Sequence, residues 1–95
     1  MKTLLVGSEL FIAVNLVLSP KEAIIFKELN KNMNVNRKTG KRVSLNYLKK
    51  ELGTDWDYTR DLIKCLKEKI RFAYDIKEEY VGGYTYYILH QKKNI

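Results

Sequence analysis

Arg60, Lys64 and Lys67 follow Asp57 at intervals of three, four and three residues, the spacing that puts four charged groups on one face of a helix. Leu62, Leu66 and Ile70 recur on the opposite face, so the cations are expected to point outward. An arginine so placed can donate two parallel hydrogen bonds to the O6 and N7 acceptors of a guanine, and a lysine can reach a base edge or a phosphate. Surface pairing competes, Arg60 with Asp57 or Lys64 with Glu68. Trp56 stands where this helix begins and can either stack on a base or pack over the preceding helix. Trp56, Asp57, Arg60, Lys64 and Lys67 form the candidate base-reading set.

A second group is set apart by charge. The formal net charge is +7, and it is unevenly placed. Between Leu29 and Lys50 stand Lys31, Arg37, Lys38, Lys41, Arg42, Lys49 and Lys50 with no acid among them, while the rest of the sequence is balanced. A solvated lysine-rich loop is one explanation. The stronger one is a phosphate-contacting patch of Arg37, Lys38, Lys41, Arg42, Lys49 and Lys50, where each neutralised phosphate releases counterions without regard to sequence. No amphipathic basic helix adjoins the segment, which argues against a membrane surface. Farther on, Lys77, Tyr80 and Tyr84 flank a Gly82-Gly83 pair. They are weaker candidates, because Glu78 and Glu79 offset Lys77 and sheet packing can absorb the tyrosines.

Other chemistries are poorly served. Asp55, Asp57 and Asp61 lie within about one helical turn, but helix capping explains them more simply than a metal-binding carboxylate cluster. Cys65 is the only cysteine and His90 the only histidine, so a disulfide, a Cys-based zinc cluster or a His relay lacks its parts. The expectation is a protein that is not an enzyme, with no cofactor, metal or small-molecule ligand, in the cytoplasm. The apolar start of the sequence is interrupted by Gly7, Ser8 and Glu9 and does not read as a signal peptide. The run from Leu10 to Leu18 is about half a membrane span.

The elements that must position these residues follow from the pattern. Leu10, Ile12, Val14, Leu16 and Leu18 alternate as in a strand, with a shorter strand over Thr3 to Val6 before it. A strand covered on both faces in 95 residues suggests a second copy against it. Ser19-Pro20-Lys21-Glu22 is a capping box with proline at the first helical position, and Ile25, Leu29 and Met33 carry a first helix to about Lys31–Met33. Arg37 to Arg42 reads as a polar turn, with a short strand near Arg42–Val43. Ser44 caps a second helix with Leu45, Leu48 and Leu52 on one face and Gly53 as its stop. Thr54 starts a third helix, its stripe of Leu62, Leu66 and Ile70 widened by Tyr58, Ile63 and Cys65, ending near Arg71. Two helices joined by a few residues around a glycine have the form of a helix-turn-helix.

A hairpin follows, with Phe72, Tyr74 and Ile76 on one strand face and Tyr84, Tyr86 and Ile88 on the next. Those two faces coincide only across a loop with an odd residue count. A strict two-residue Gly82-Gly83 loop pairs Ile76 with Leu89 instead, and the pattern leaves both registers open. Lys92 to Ile95 reads as a tail.

From Ser19 onward this order resembles the winged-helix DNA-binding domain, over about three quarters of the chain. Leu18-Ser-Pro-Lys-Glu22, Tyr58-Thr-Arg-Asp-Leu62 and Phe72-Ala-Tyr-Asp-Ile76 before the Gly-Gly pair are similar, more narrowly, to the winged-helix unit of plasmid replication initiators. Those proteins usually carry two such units and this chain has one. The resemblance implies one α+β domain over residues 1–95: a winged helix-turn-helix of three helices and a C-terminal β-hairpin wing (19–91), with an added N-terminal strand or hairpin (1–18) and a tail (92–95). It implies a sequence-specific binder of double-stranded DNA, a small transcriptional regulator of plasmid or viral type, dimeric through its N-terminal strand. The alternatives are a replication-initiation or partition protein and, in another class, a protein–protein interaction module that has lost DNA binding.

Overall fold

Ser19, Ser44 and Asp55 each stand in extended backbone just before a helix and accept a hydrogen bond from an amide of its first turn, which satisfies a donor the helix itself cannot. These caps define three helices in the computed structural model, which describes residues 16–34 and 39–92. Helix α1 spans Pro20–Lys31, α2 Leu45–Leu52 and α3 Trp56–Ile70. The capping box of α1 is complete: the Glu22 amide donates to Ser19 Oγ at 3.3 Å and the Ser19 amide to Glu22 Oε1 at 2.9 Å. Gly53 ends α2 at φ 64°, a left-handed position that favours glycine.

The cap of α3 is Asp55 rather than Thr54. The Asp55 carboxylate accepts from the Tyr58 amide at 2.7 Å. The Thr54 hydroxyl instead meets that of Thr59 at 2.7 Å, and Thr59 Oγ1 also donates to the Asp55 carbonyl at 2.6 Å. Thr59 is fully buried, so its hydroxyl needs these partners, and meeting that need engages Thr54.

Five short strands complete an antiparallel sheet. They are β1 (Met33–Asn34), β2 (Thr39–Gly40), β3 (Val43–Ser44), β4 (Tyr74–Val81) and β5 (Tyr84–Gln91). Strand β5 is central: β4 pairs along one edge, while β3 and then β2 pair along the other, with β1 beyond β2. The described residues are thus α+β, three helices against a small antiparallel sheet. The core gathers Ile25, Phe26 and Leu29 of α1, Leu45 and Leu48 of α2, Leu62, Ile63, Leu66 and Ile70 of α3, and Val43, Tyr74, Ile76, Tyr87 and Leu89 from the sheet.

The hairpin register is settled by its turn. Gly82 and Gly83 have φ of 59° and 84°, which a two-residue loop of this hand requires, and Val81 pairs with Tyr84 and Ile76 with Leu89. The buried face of β5 is therefore Tyr87 and Leu89, and the expected face of Tyr84, Tyr86 and Ile88 looks away from the core. Phe72 precedes β4 and is exposed. On α3, Tyr58 and Cys65 are exposed; they fall at the margin of the stripe, and Thr59 takes the inward place.

Of the strand expected over Leu10 to Leu18, residues 10–15 lie outside the described residues, as does Thr3 to Val6. Leu16 to Leu18 form a turn and bend. Leu16 is exposed and Leu18 packs against the core, consistent with a hydrophobic residue before the cap fixing how the chain enters the helix. Lys92 does not belong to a loose tail: its amide donates to the Ala73 carbonyl at 2.9 Å and its ammonium to the Arg71 carbonyl.

One ion pair ties α1 to α3. The Lys69 ammonium donates to Glu22 Oε1 at 2.7 Å, and the Glu22 side chain is almost wholly buried. Burial raises the Glu22 pKa, but the Lys69 hydrogen bond, the two Ser19 bonds and the Lys69 charge outweigh it, and the net shift is downward. A carboxyl lowered by folding contributes stability above its unfolded pKa and loses it as pH falls through the folded one. Stability is therefore expected to decline in acid below the ordinary value of 4.5. Glu22→Gln should flatten that acid limb and cost roughly 1–2 kcal/mol at neutral pH, measured by urea unfolding across pH. Glutamine also serves at this capping position, so the change isolates the ion pair.

Candidate nucleic-acid interface

Strand β4 is buried only at Tyr74 and Ile76, with Asp75 half-buried; from Lys77 to Val81 it is exposed. The hairpin thus overhangs the core, and an open trough forms between its outer half and α3. Two depressions make up the trough. One, of about 520 Å³, is lined by Arg60, Lys64 and Lys67 of α3 and by Glu78, Tyr80, Thr85 and Tyr87 of the hairpin, with Ile63 and Ile76 beneath. The other, of about 510 Å³, lies toward the hairpin tip and the helix starts, lined by Leu45, Asn46, Trp56, Asp57, Arg60, Tyr80, Gly83, Tyr84 and Thr85. Arg60, Tyr80 and Thr85 border both.

The structure therefore brings together all five residues of the expected base-reading set. Asp57, Arg60, Lys64 and Lys67 are exposed on α3, and Trp56 is 45% exposed at its start. The Lys49 ammonium of α2 lies 5.0 Å from the centroid of the Trp56 ring, a cation–π contact that places one basic-segment lysine at the edge of the trough. Neither expected intrahelical pair forms the dominant contact: Glu68 is met by Arg71 at 3.6 Å, and Lys67 reaches Asp75 of β4 at 3.8 Å.

Of the phosphate-contacting set, Lys41, Arg42 and Lys50 are exposed and Lys49 is half-buried; Arg37 and Lys38 lie outside the described residues. Arg42 leans on the hairpin, its Nε 3.9 Å from Glu79 Oε1 and its guanidinium 5.1 Å from the Tyr86 ring centroid. Lys77, Tyr80 and Tyr84 are all exposed. The tyrosines are 75% and 58% exposed, so sheet packing does not account for them.

Each hairpin acid has a partner. Asp75 has Lys67 and Glu79 has Arg42, while Glu78 Oε1 accepts from the buried Tyr87 hydroxyl at 2.8 Å. Burial, then the Glu78 hydrogen bond and charge, push the Tyr87 hydroxyl well above the ordinary tyrosine range, against an opposing effect from Arg60. Tyr87 is thus a neutral donor that holds Glu78 in the trough wall. Asn46, Glu78, Thr85 and Tyr87 were absent from the sequence-derived set. The signal for the hairpin residues was the two-residue loop, which turns Thr85 and Tyr87 toward α3.

Among the described residues no group of three or more His, Cys, Asp or Glu side chains is placed to hold a metal ion, and no helix is long and apolar enough to cross a membrane. No protein-family model matches this chain, and comparison with curated proteins and with solved structures likewise finds no match.

Proposed function

We propose that this chain is a winged-helix protein that binds double-stranded DNA with sequence preference, serving as a small transcriptional regulator of plasmid or viral type. The observation that carries the reading is the exposed cationic face of α3, with Arg60, Lys64 and Lys67 opening onto a trough walled by the overhanging hairpin. Helix, short strand, two helices and hairpin, with β3 paired to β5, is compatible with the winged-helix layout. In that arrangement α3 enters the major groove and α2 crosses the backbone. Arg60 reads a base edge, Lys64 reaches a base or a phosphate, and Lys41, Arg42, Lys49 and Lys50, with Arg37 and Lys38, hold phosphates and set the register. A second copy would read a second half-site about one helical turn away. Replication initiation or partition would use the same interface.

A protein-docking role is the competing reading, favoured by the exposed Tyr80, Val81 and Tyr84 at the hairpin tip and by the hairpin acids. Salt dependence separates the two, since phosphate contacts make duplex affinity fall steeply with salt.

Three outcomes are expected in gel-shift and anisotropy titrations against the gene's upstream region. Removing Arg37, Lys38, Lys41 and Arg42 together weakens binding to all sequences alike, whereas Arg60→Ala flattens discrimination by about 1–3 kcal/mol at one position. If both leave duplex affinity unchanged, the reading fails. Glu79→Gln and Asp75→Asn release Arg42 and Lys67 from exposed pairs worth no more than about 1 kcal/mol each. They should hardly alter stability, yet tighten duplex binding and steepen its salt slope by up to about one per freed cation. A protein-docking module would show no such gain.

A further inference from the structure

The depression at the hairpin tip carries more aromatic surface than reading the base edges of a paired duplex requires. Trp56, Tyr80 and Tyr84 all line it, and each is between 45% and 75% exposed. Large aromatic surface left in water forfeits the stabilisation its burial would give. The cations of α3 suffice for phosphates and base edges, and a closed base stack offers aromatic rings nothing to stack on. Asn46, Asp57 and Arg60 border the same depression. They supply an amide with both donor and acceptor, a carboxylate acceptor and a guanidinium donor, the groups that match the hydrogen-bonding edge of a nucleobase. The volume, about 510 Å³, is within the range of small-ligand pockets. The Lys49 ammonium over the Trp56 ring puts a positive charge at the rim of the depression, which suits an anionic ligand backbone.

We propose that this depression receives an unpaired DNA base, stacked against Trp56 and Tyr80, so that the chain binds DNA with a bulged or extruded nucleotide more tightly than fully paired DNA. The inference rests on the nucleic-acid reading and adds a ligand that reading does not contain. Aromatic stacking is tolerant of base identity, because every base has a π face, so selectivity is for the unpaired state, with Asn46, Asp57 and Arg60 setting any preference among bases.

Trp56 is the only tryptophan, so its fluorescence reports directly on the depression. The full chain is titrated with a paired duplex, the same duplex carrying a central bulge, and that bulge made abasic. The expected result is about tenfold tighter binding of the bulged duplex than of the paired one, in line with stacking of one base, with quenching of Trp56; the abasic bulge loses both. Tyr80→Ala, at an exposed tip position where the circular dichroism is expected to be unchanged, should remove the gain of the bulged duplex over the paired one, read as the ratio of the two affinities. Tyr80→Phe should restore the gain. Equal affinity for paired and bulged DNA overturns the inference while duplex binding stands, as does an equal gain for the abasic bulge, which would mark recognition of backbone flexibility alone. Failure to bind any of the three overturns both readings.

Discussion

Gly82 and Gly83 reverse the chain in two residues, at φ values that suit glycine, and so commit β4 and β5 to one register along their whole length. Side chains alternate across a strand, so a slip of one residue would turn Tyr87 and Leu89 out of the core and bring Tyr86 and Ile88 in. Because β5 also carries β2 and β3 on its other edge, the same slip would displace the strand that leads directly into the Ser44 cap of α2. The trough depends on this register as much as the core does. Thr85 and Tyr87 face α3 because they lie an even number of residues from Leu89, and Tyr87 then fixes Glu78 across the hairpin.

Burial divides the charged contacts into two kinds. Glu22 is almost wholly enclosed and meets Lys69 at 2.7 Å while completing a helix cap; removing Lys69 strands the buried carboxylate, so this pair belongs to the fold. Arg42–Glu79 and Lys67–Asp75 are longer, at 3.9 and 3.8 Å, with side chains between 40% and 53% exposed. Pairs of that kind contribute little, and a phosphate can replace the carboxylate at small cost. Asp75 and Glu79 thus neutralise the cations beside them at little cost in stability, and on the proposed reading a phosphate would take their place.

What could be read in advance was what is decided locally. The three helices, the Ser19 box, the Ser44 cap and the Gly53 stop depend on residues within a turn of one another, and they stand where the sequence puts them, within a residue or so. Choices between two locally adequate solutions were not legible. Thr54 and Asp55 are both good caps, and the burial of Thr59, a tertiary matter, decides between them. Tyrosine alternation in Tyr84, Tyr86 and Tyr87 marks both faces of β5 as apolar, since tyrosine suits a core and a surface alike; only the loop length selects one. Arg60, Lys64 and Lys67 were legible as a face because helical periodicity is strict. The opposing wall was not, because its membership follows from the register.

The overhang of the hairpin is the least economical feature of the fold and therefore informative. The last core side chain toward the tip is Tyr87, opposite Glu78, so at about 3.3 Å per residue the stretch of β4 from Glu79 to Val81 reaches roughly 10 Å past it. Beyond Tyr86, where β3 pairs with β5, the hairpin is a two-stranded ribbon, which on its own is marginal in water, so it needs support at its base. It has the Tyr87–Glu78 hydrogen bond on the side facing α3 and Arg42 across Glu79 and Tyr86 from the β3 side. A chain selected for stability alone would do better to shorten the hairpin by a residue pair or two. Keeping its length, with Tyr80 at its end on the side of Trp56 and α3, fits the proposed arrival of a ligand between the tip and the helix.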